Sequence, residues 1–181
     1  MLLLDMDGTL ICSRGGVPTP RPYLKQLLRF AFLNYDHVGI FTAAHPLWYD
    51  IVYRSIFRKI FNELDIDGGF HSVRTIRDCN VLSWRDVMVG VTKPLNRVWE
   101  AHKEYNSTNT LIVDDNKSTF THPENGIHIS EFDVHSNPCD AFDTTLMSLI
   151  QVLDDNIEHQ SVHATIIKGL QTVVKSYEPV E

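Results

Sequence analysis

The sequence predicts an α/β fold in which helices flank a parallel sheet. Three short apolar runs, at residues 1–4, 37–42 and 110–113, have the length expected of buried strands. Segments with apolar residues at helical spacing separate these runs, and strands that alternate with helices indicate βαβ units and a parallel sheet. We expect residues 1–181 to form a single domain with a modest insertion.

Composition and charge exclude several classes of protein. Hydrophobic residues make up 43% of the chain and charged residues 22%, which argues against a disordered chain, a collagen or a coiled coil. No run approaches the roughly 20 apolar residues of a membrane-spanning helix, so no membrane partner is expected. The net charge of −7 argues against tight nucleic-acid binding, which depends on lysine and arginine.

Two further features favour an intracellular protein. The N-terminal residues lack the long apolar core and basic flank of a signal peptide. The three cysteines lie far apart and form no C-x-x-C pair, so we expect reduced thiols and no structural zinc. No feature distinguishes nucleus from cytoplasm or indicates an oligomeric state.

The N-terminal elements are predicted to be a strand, a loop and a helix. The strand at residues 1–4 is followed by a turn at Gly8, where glycine lets the backbone bend tightly. Residues 13–22 are rich in glycine and proline, a composition typical of a loop. Pro22 is suited to the start of a helix, and leucines at helical spacing predict that helix over residues 23–34.

The middle of the chain continues the alternation. Residues 37–42 form the second strand, and residues 47–61 form a helix in which apolar positions alternate with arginine and lysine. The Asp-Gly-Gly sequence at residues 67–69 forms a turn. Many β-forming residues follow, so we expect short strands in a small β insertion at about residues 68–91.

The C-terminal part repeats the same pattern. Pro94 starts a helix that runs to about residue 105, and residues 110–113 form the third buried strand. Residues 126–129 form a fourth strand. A helix follows at residues 140–153, and the remaining tail adds another helix.

Polar and acidic residues follow each of the three buried strands. Asp5 and Asp7 come after the first strand, Thr42 ends the second, and Asp114 and Asp115 end the third. Because ligands of open parallel sheets bind beyond the carboxyl ends of the strands, we expect the four carboxylates to meet at one edge. Carboxylates in one pocket repel each other, and Mg²⁺ is the divalent cation that oxygen ligands with retained waters favour.

Such a pocket is suited to phosphoryl transfer. Asp5 is placed to attack phosphorus and form an aspartyl phosphate, and Asp7 to exchange protons with the leaving oxygen and the attacking water. Thr42 and the amide of Ala43 are candidates for binding the phosphate oxygens. Lys93, just before the helix that Pro94 starts, is a candidate for offsetting the remaining negative charge.

These motifs resemble those of the haloacid dehalogenase-like phosphatases. Residues 5–10 (Asp-Met-Asp-Gly-Thr-Leu) resemble the first motif, residues 41–43 (Phe-Thr-Ala) the second, Lys93 the third and residues 113–116 (Val-Asp-Asp-Asn) the fourth. The resemblance implies a Rossmann-like core and Mg²⁺ dependence.

Within that superfamily, the resemblance is strongest to the small serine/threonine phosphatases that act on the carboxy-terminal domain (CTD) of RNA polymerase II, the FCP/SCP-like or NLI-interacting-factor-like group. The supporting segments are Arg-Pro-Tyr-Leu at 21–24, Phe-Thr-Ala-Ala at 41–44, His-Pro-Glu-Asn-Gly at 122–126 and an acidic, leucine-containing helix at 140–153. This resemblance implies a phosphoprotein or phosphopeptide substrate and hydrolysis of phosphoserine or phosphothreonine.

Carried over by motif, the resemblance assigns a role to each candidate. It makes Asp5 the nucleophile and Asp7 the acid/base, whose backbone carbonyl also reaches the metal. Thr42 and Lys93 bind phosphate. Asp114 and Asp115 complete the metal ligands.

The sequence departs from the pattern of this group at two motifs. Gly8 stands where the group usually has glutamate, and Asp115 stands where it has asparagine. Residues 70–91 match poorly, in the region where the family carries the insertion that grips the peptide. The chain also begins four residues before Asp5, from which we expect a minimal catalytic domain.

Three functions remain open from the sequence. The first is a protein serine/threonine phosphatase. The second is a phosphatase for a nucleic-acid 3′-phosphate or a small molecule. The third is a catalytically weak module that binds phosphoproteins.

Some arginines, histidines and tryptophans could have either a structural role or a role in binding a ligand. Arg74, Arg77 and Arg85 form either a solvated face or contacts to a phosphopeptide, for which arginine is suited. The nine histidines show no zinc-binding pattern and are expected to be structural or at the surface. The tryptophans, including Trp48, are expected to pack rather than to stack on a ligand.

Overall fold

The computed structural model describes residues 1–84 and 87–159, which contain nine strands and five α-helices. The strands are β1 (Leu2–Leu4), β2 (Ile11–Cys12), β3 (Thr19–Pro20), β4 (Val38–Phe41), β5 (Ser72–Arg74), β6 (Asn80–Trp84), β7 (Val87–Thr92), β8 (Leu111–Asp114) and β9 (Gly126–His128). The helices are α1 (Leu24–Asn34), α2 (Pro46–Val52), α3 (Arg58–Leu64), α4 (Leu95–Ala101) and α5 (Thr145–His159). No helix in these ranges combines the length and apolar composition needed to cross a membrane.

The predicted parallel sheet is confirmed and has five strands in the order β5-β4-β1-β8-β9. Its central strand β1 pairs in parallel with β4 on one side and β8 on the other, with Leu3 opposite Gly39 and Ile112. The outer strands β5 and β9 also run parallel to their neighbours. The carboxyl ends of all five strands therefore lie at the same edge of the sheet.

Helices cover both faces of the sheet because side chains alternate along each strand. Leu2 and Leu4 lie in one buried cluster with residues of α1, α2, α3 and α5. Leu3 points to the other face and lies in a second cluster with Leu95 and Val98 of α4. The three leucines of β1 are fully buried, as predicted from their position in an apolar run.

Several boundaries differ from the prediction. The helix predicted at 47–61 is continuous from α2 to α3, but its middle, Tyr53–Phe57, is π-helical. α4 ends at Ala101, four residues before the predicted end. α5 starts at Thr145 rather than at residue 140, because Pro138–Phe142 form a separate 3₁₀-helix; the Asp143 carboxylate accepts the backbone N–H of Thr145.

A short antiparallel hairpin contains part of the predicted loop at 13–22. Its first strand, β2, lies just before the loop, and its second strand, β3, lies within it. Pro22 does not begin α1. Tyr23 follows it with a left-handed backbone (φ 65°), and the helix begins at Leu24.

Residues 68–91 form two different structures. β5 is the edge strand of the central sheet, whereas β6 and β7 form an antiparallel hairpin that pairs only with itself in the described part of the chain. Of the range predicted as an insertion, only the β6–β7 hairpin lies outside the central sheet. That this hairpin is an insertion stays a prediction. The further helix predicted after residue 153 falls mainly on residues 160–181, outside the described residues.

A group of histidines lies at the amino ends of the strands. His37 is buried, its Nε2 lies 2.8 Å from Ser72 Oγ, and its ring packs against the rings of His71 and His102 at centroid distances of 5.4 and 4.7 Å. Burial, reinforced by the neighbouring imidazoles, lowers the pKa of His37 to about 4. Folding therefore favours the neutral form of this side chain.

The fold should become less stable as the pH falls. Below about pH 6.5 the unfolded chain protonates His37 and the folded chain does not, so the free energy of unfolding should drop by about 2 kcal/mol between pH 7 and pH 5 from this group. Urea titrations of the wild type and His37→Gln measure the effect, with the exposed His135→Gln as control. Parallel pH profiles for wild type and His37→Gln would contradict it.

Candidate active site

A cleft of about 340 Å³ opens at the carboxyl ends of β1, β4 and β8. Its lining comprises Asp5, Asp7, Thr42, Ala43, Ala44, Lys93, Asp114, Asp115, Asn116 and Thr119. Every residue that the sequence analysis placed in the site lines this cleft. The structure thus brings the predicted residues together, and their roles stay a prediction.

Lys93 is the buried cation of the cleft. Its Nζ lies 2.5 Å from Asp5 Oδ1 and 2.6 Å from Asp114 Oδ2, and the lysine is 1% exposed. The residue follows β7 directly, and its backbone N–H donates to Thr119 O at 2.7 Å. A lysine this deeply buried requires such partners, and here it joins the end of β1 to the end of β8.

The cleft contains more negative than positive charge. Carboxylate oxygens of Asp5, Asp114 and Asp115 lie within 4.8 Å of one another, and Lys93 is the cation in contact with two of them. Burial raises the pKa of Asp5 to about 7; Lys93 opposes this shift and Asp114 adds to it. Burial alone lowers the pKa of Lys93, but the carboxylates outweigh burial and raise it.

Neighbouring hydroxyls and amides orient the carboxylates that end β8. Asp114 accepts hydrogen bonds from the backbone N–H of Asn116 at 2.8 Å and from Thr119 Oγ1 at 2.7 Å. Asp115 Oδ1 accepts from Thr9 Oγ1 at 2.8 Å, which ties the end of β8 to the turn after β1. Burial raises the pKa of Asp115, and the hydrogen bond from Thr9 offsets part of this increase.

Gly8 leaves the space that the Asp115 carboxylate occupies. Its φ of +80° lies in the left-handed region, and a Cβ placed there would lie 2.6 Å from Asp115 Oδ2. Any side chain at position 8 would therefore have to displace this carboxylate. The two positions at which the sequence departs from the resembling group are thus adjacent in space.

Thr42 and Ala43 begin the loop between β4 and α2. Thr42 is buried, and its Oγ1 accepts the backbone N–H of Ala44 at 3.1 Å. No described residue accepts the hydroxyl hydrogen of Thr42. The hydroxyl can therefore donate a hydrogen bond to an anionic ligand in the cleft.

Asp7 lies in the cleft, but its carboxylate is not part of the cluster formed by Asp5, Asp114 and Asp115. Its Oδ1 accepts a hydrogen bond from Trp48 Nε1 at 2.8 Å. The expected meeting of four carboxylates is therefore a cluster of three with a fourth beside it. The predicted contact of the Asp7 carbonyl with a metal stays a prediction.

The sequence analysis missed two residues that shape the site. Trp48 was expected only to pack. Arg21 was noted as part of a motif, but its role was not identified: it is 1% exposed, pairs with Asp143 at 2.7 Å and donates to the carbonyl oxygens of Thr9 and Ser130 at 3.1 and 2.9 Å. No local pattern indicates this role, because the partners Thr9, Ser130 and Asp143 lie 12 to 122 residues away in the sequence.

Arg74 and Arg77, the two described arginines of the middle region, do not line the cleft. Arg74 is half-buried and contacts Asp78 at 3.5 Å, and Arg77 is exposed. Arg85 lies outside the described residues. Contacts of these arginines with a phosphopeptide therefore stay a prediction.

The residues of the cleft fit a hard divalent cation. The cluster offers only carboxylate oxygens, which suit Mg²⁺ better than softer metals. One lysine does not neutralise three carboxylates, so a cation would relieve their repulsion. Among the described residues, Thr9 is the side chain that donates to the Asp115 carboxylate, which keeps accepting capacity towards the cleft.

Comparison with known proteins connects the chain to a phosphatase family. The sequence pattern of the NLI interacting factor-like phosphatases matches residues 1–163. Ubiquitin-like domain-containing CTD phosphatase 1 of Drosophila melanogaster is 29% identical over 167 residues, covering 88% of this chain and 49% of the relative. The Xenopus tropicalis protein of that name is 31% identical over 138 residues, covering 73% of this chain and 42% of the relative. The chain thus spans about half the length of these relatives or less.

A viral relative and a solved structure extend the comparison. A CTD phosphatase-like protein of Invertebrate iridescent virus 3 is 24% identical over 180 residues, covering 85% of this chain and 95% of the relative. The structure of the fission yeast RNA polymerase II CTD phosphatase Fcp1 bound to beryllium fluoride superposes with a TM-score of 0.50. The match covers 97% of this chain and 55% of the other at 17% identity, and it supports the fold.

Removing the buried cation should destabilise the fold. Lys93→Met leaves Asp5 and Asp114 buried without their partner, and the free energy of unfolding should fall by about 3 kcal/mol in urea titrations without divalent metal. Adding Asp114→Asn should restore part of the loss, because it removes one of the two uncompensated charges.

The matched control is Lys25→Met. Lys25 also contacts a carboxylate, Glu63, at 2.7 Å, but both side chains are more than 40% exposed. Its loss should cost less than about 1 kcal/mol. If the two lysine variants lowered the free energy of unfolding equally, the buried contacts of Lys93 would contribute no more than an exposed ion pair.

Proposed function

The chain belongs to the NLI interacting factor-like phosphatase family, and from this premise we propose that it is a Mg²⁺-dependent phosphatase of phosphoserine or phosphothreonine in proteins. It acts through an aspartyl phosphate on Asp5. The observation that carries the proposal is the Asp5 carboxylate held by buried Lys93 in a cleft that Thr42 and Asp115 also line. Substrates resembling the CTD of RNA polymerase II are the proposed class, because the relatives carry that name.

The first step transfers the phosphoryl group to Asp5. A carboxylate oxygen of Asp5 forms a bond to phosphorus while the bond from phosphorus to the seryl or threonyl oxygen breaks. Lys93 favours the ionised form of Asp5 and restrains its orientation. Asp7 donates a proton to the leaving oxygen, so that an alcohol and not an alkoxide departs.

The second step returns Asp5 to its starting state. A water oxygen forms a bond to phosphorus and the bond between phosphorus and Asp5 breaks. Asp7, now ionised, takes the proton of the water. Thr42 and the amide of Ala43 bind the phosphate oxygens during both steps, and Asp5, Asp114 and Asp115 with the Asp7 carbonyl would hold Mg²⁺, which offsets the negative charge of carboxylates and phosphate.

Surface properties support a peptide substrate. The net charge of −7 disfavours binding to a nucleic acid. The β6–β7 hairpin, to which we narrow the proposed insertion, exposes Val81 and Leu82 at 46% and 54% and leads directly to Lys93. Exposed apolar side chains on such a hairpin are suited to an extended peptide. An intracellular location remains part of the proposal.

Asp5→Asn should abolish turnover without unfolding the protein. An amide oxygen is a poor nucleophile, so the rate on a phosphoserine peptide should fall by on the order of 10³-fold or more. Released phosphate measures the rate, and circular dichroism checks the fold. Asp36→Asn, an exposed aspartate at the opposite end of the sheet, should retain full activity.

The same assay distinguishes the substrate classes. Phosphoserine and phosphothreonine peptides should be turned over faster than 3′-phosphorylated oligonucleotides and sugar phosphates. Faster turnover of an oligonucleotide would contradict the proposed substrate class. Binding of a phosphopeptide without any turnover would indicate a binding module.

Activity should require a divalent metal. Chelation should abolish turnover and Mg²⁺ should restore it. Asp115→Ala removes one carboxylate of the cluster, so the Mg²⁺ concentration for half-maximal activity should rise by about tenfold or more. Thermal unfolding gives a second readout, because Mg²⁺ should raise the melting temperature of the wild type more than that of the variant. Full activity in chelator would contradict the mechanism.

A further inference from the structure

Trp48 contacts the carboxylate to which the proposed mechanism assigns the proton transfers. Its indole Nε1–H donates to Asp7 Oδ1 at 2.8 Å. Among the described residues, no other side chain or backbone amide donates to the Asp7 carboxylate. This tryptophan is therefore the principal restraint on the orientation of that group.

Trp48 is itself firmly placed. It lies in the first turn of α2, and its backbone N–H donates to His45 O at 2.9 Å. Its half-buried ring packs against the core cluster that contains Leu2 and Leu4. α2 begins just after the loop of Thr42 and Ala43, so the indole links the proposed phosphate-binding loop to Asp7.

The direction of this hydrogen bond makes the two Asp7 oxygens unequal as carriers of a proton. The indole N–H is a donor only, so a proton on Oδ1 cannot point towards Trp48 without losing the bond. Oδ2 has no described donor and belongs to a residue that lines the cleft. With the bond intact, Oδ2 is the better placed oxygen to carry the transferred proton, because Oδ1 is engaged by Trp48.

We propose that Trp48 is a positioning residue that holds Asp7 Oδ1 and leaves Oδ2 to exchange the proton with the leaving oxygen and with water. This inference rests on the proposed function, in which Asp7 is the acid and base. Trp48 acts through Asp7 and does not contact the reacting atoms.

The test uses Trp48→Phe, which removes the N–H and keeps an aromatic ring. The kcat for a phosphoserine peptide, whose alkoxide leaving group needs a proton, should fall by about tenfold or more, with KM little changed. The initial burst of nitrophenol from 4-nitrophenyl phosphate should be nearly unaffected, because that leaving group needs little protonation. Later turnover of the same substrate should slow, since Asp7 is also the base of the second step.

Trp99→Phe is the matched control. The Trp99 indole N–H also donates to a side chain, Thr110 Oγ1 at 3.0 Å, but the residue does not line the cleft. The Trp99→Phe variant should turn over both substrates at wild-type rates. If Trp48→Phe melts well below the wild type, replacing Trp48 by benzothienylalanine, which has sulfur in place of the N–H, keeps the shape and repeats the test.

A double-mutant cycle separates positioning from a structural effect. In an Asp7→Asn background, Trp48→Phe should cause no further loss on the phosphopeptide, whereas a merely structural role would give an additional loss of the same size as in the wild type. Additive losses, or equal slowing of the peptide reaction and the nitrophenol burst, would overturn the role of Trp48. No turnover by the wild type would instead overturn the proposed function, and this inference with it.

Discussion

The buried contact of Lys93 with Asp5 and Asp114 is the interaction on which the rest of the site depends. It places one positive charge between two buried carboxylates, which would otherwise lie close together without a counter-charge. The same contact joins the ends of β1 and β8 to the residue that follows the β6–β7 hairpin. The arrangement leaves an excess of negative charge once Asp115 is included, and this excess is the physical basis of the proposed Mg²⁺ site.

Much of the fold could be predicted from the sequence, because each buried strand is a short apolar run and each helix has apolar residues at regular spacing. The parallel sheet followed from the alternation of the two. Boundaries were less predictable where a distant side chain decides them. Just before α5 begins at Thr145, Asp143 pairs with Arg21 from the other end of the chain and accepts the backbone N–H of Thr145. The β2–β3 hairpin has only two residues in each strand, too few for a recognisable pattern.

The candidate site was predictable to the extent that strand ends meet in space. Asp5, Thr42 and Asp114 each end an apolar run, so their convergence required no more than the topology. Trp48 could not be identified in this way, because a tryptophan in an amphipathic helix is ordinarily a packing residue and its partner Asp7 lies in another element. The contact between Gly8 and Asp115 was also beyond reach, since it depends on the φ of Gly8.

The central position of β1 has a consequence for the synthesis of the chain. β1 leaves the ribosome before either of its neighbours, yet Leu3 pairs with both Gly39 and Ile112, and the second partner follows more than half of the chain later. Non-local parallel pairing of this kind is slow, and an apolar strand that waits for its partner is prone to wrong associations. A nascent chain that has not yet exposed β8 also lacks Asp114 and Asp115. It therefore carries the carboxylate of Asp5 without the site in which that carboxylate could react.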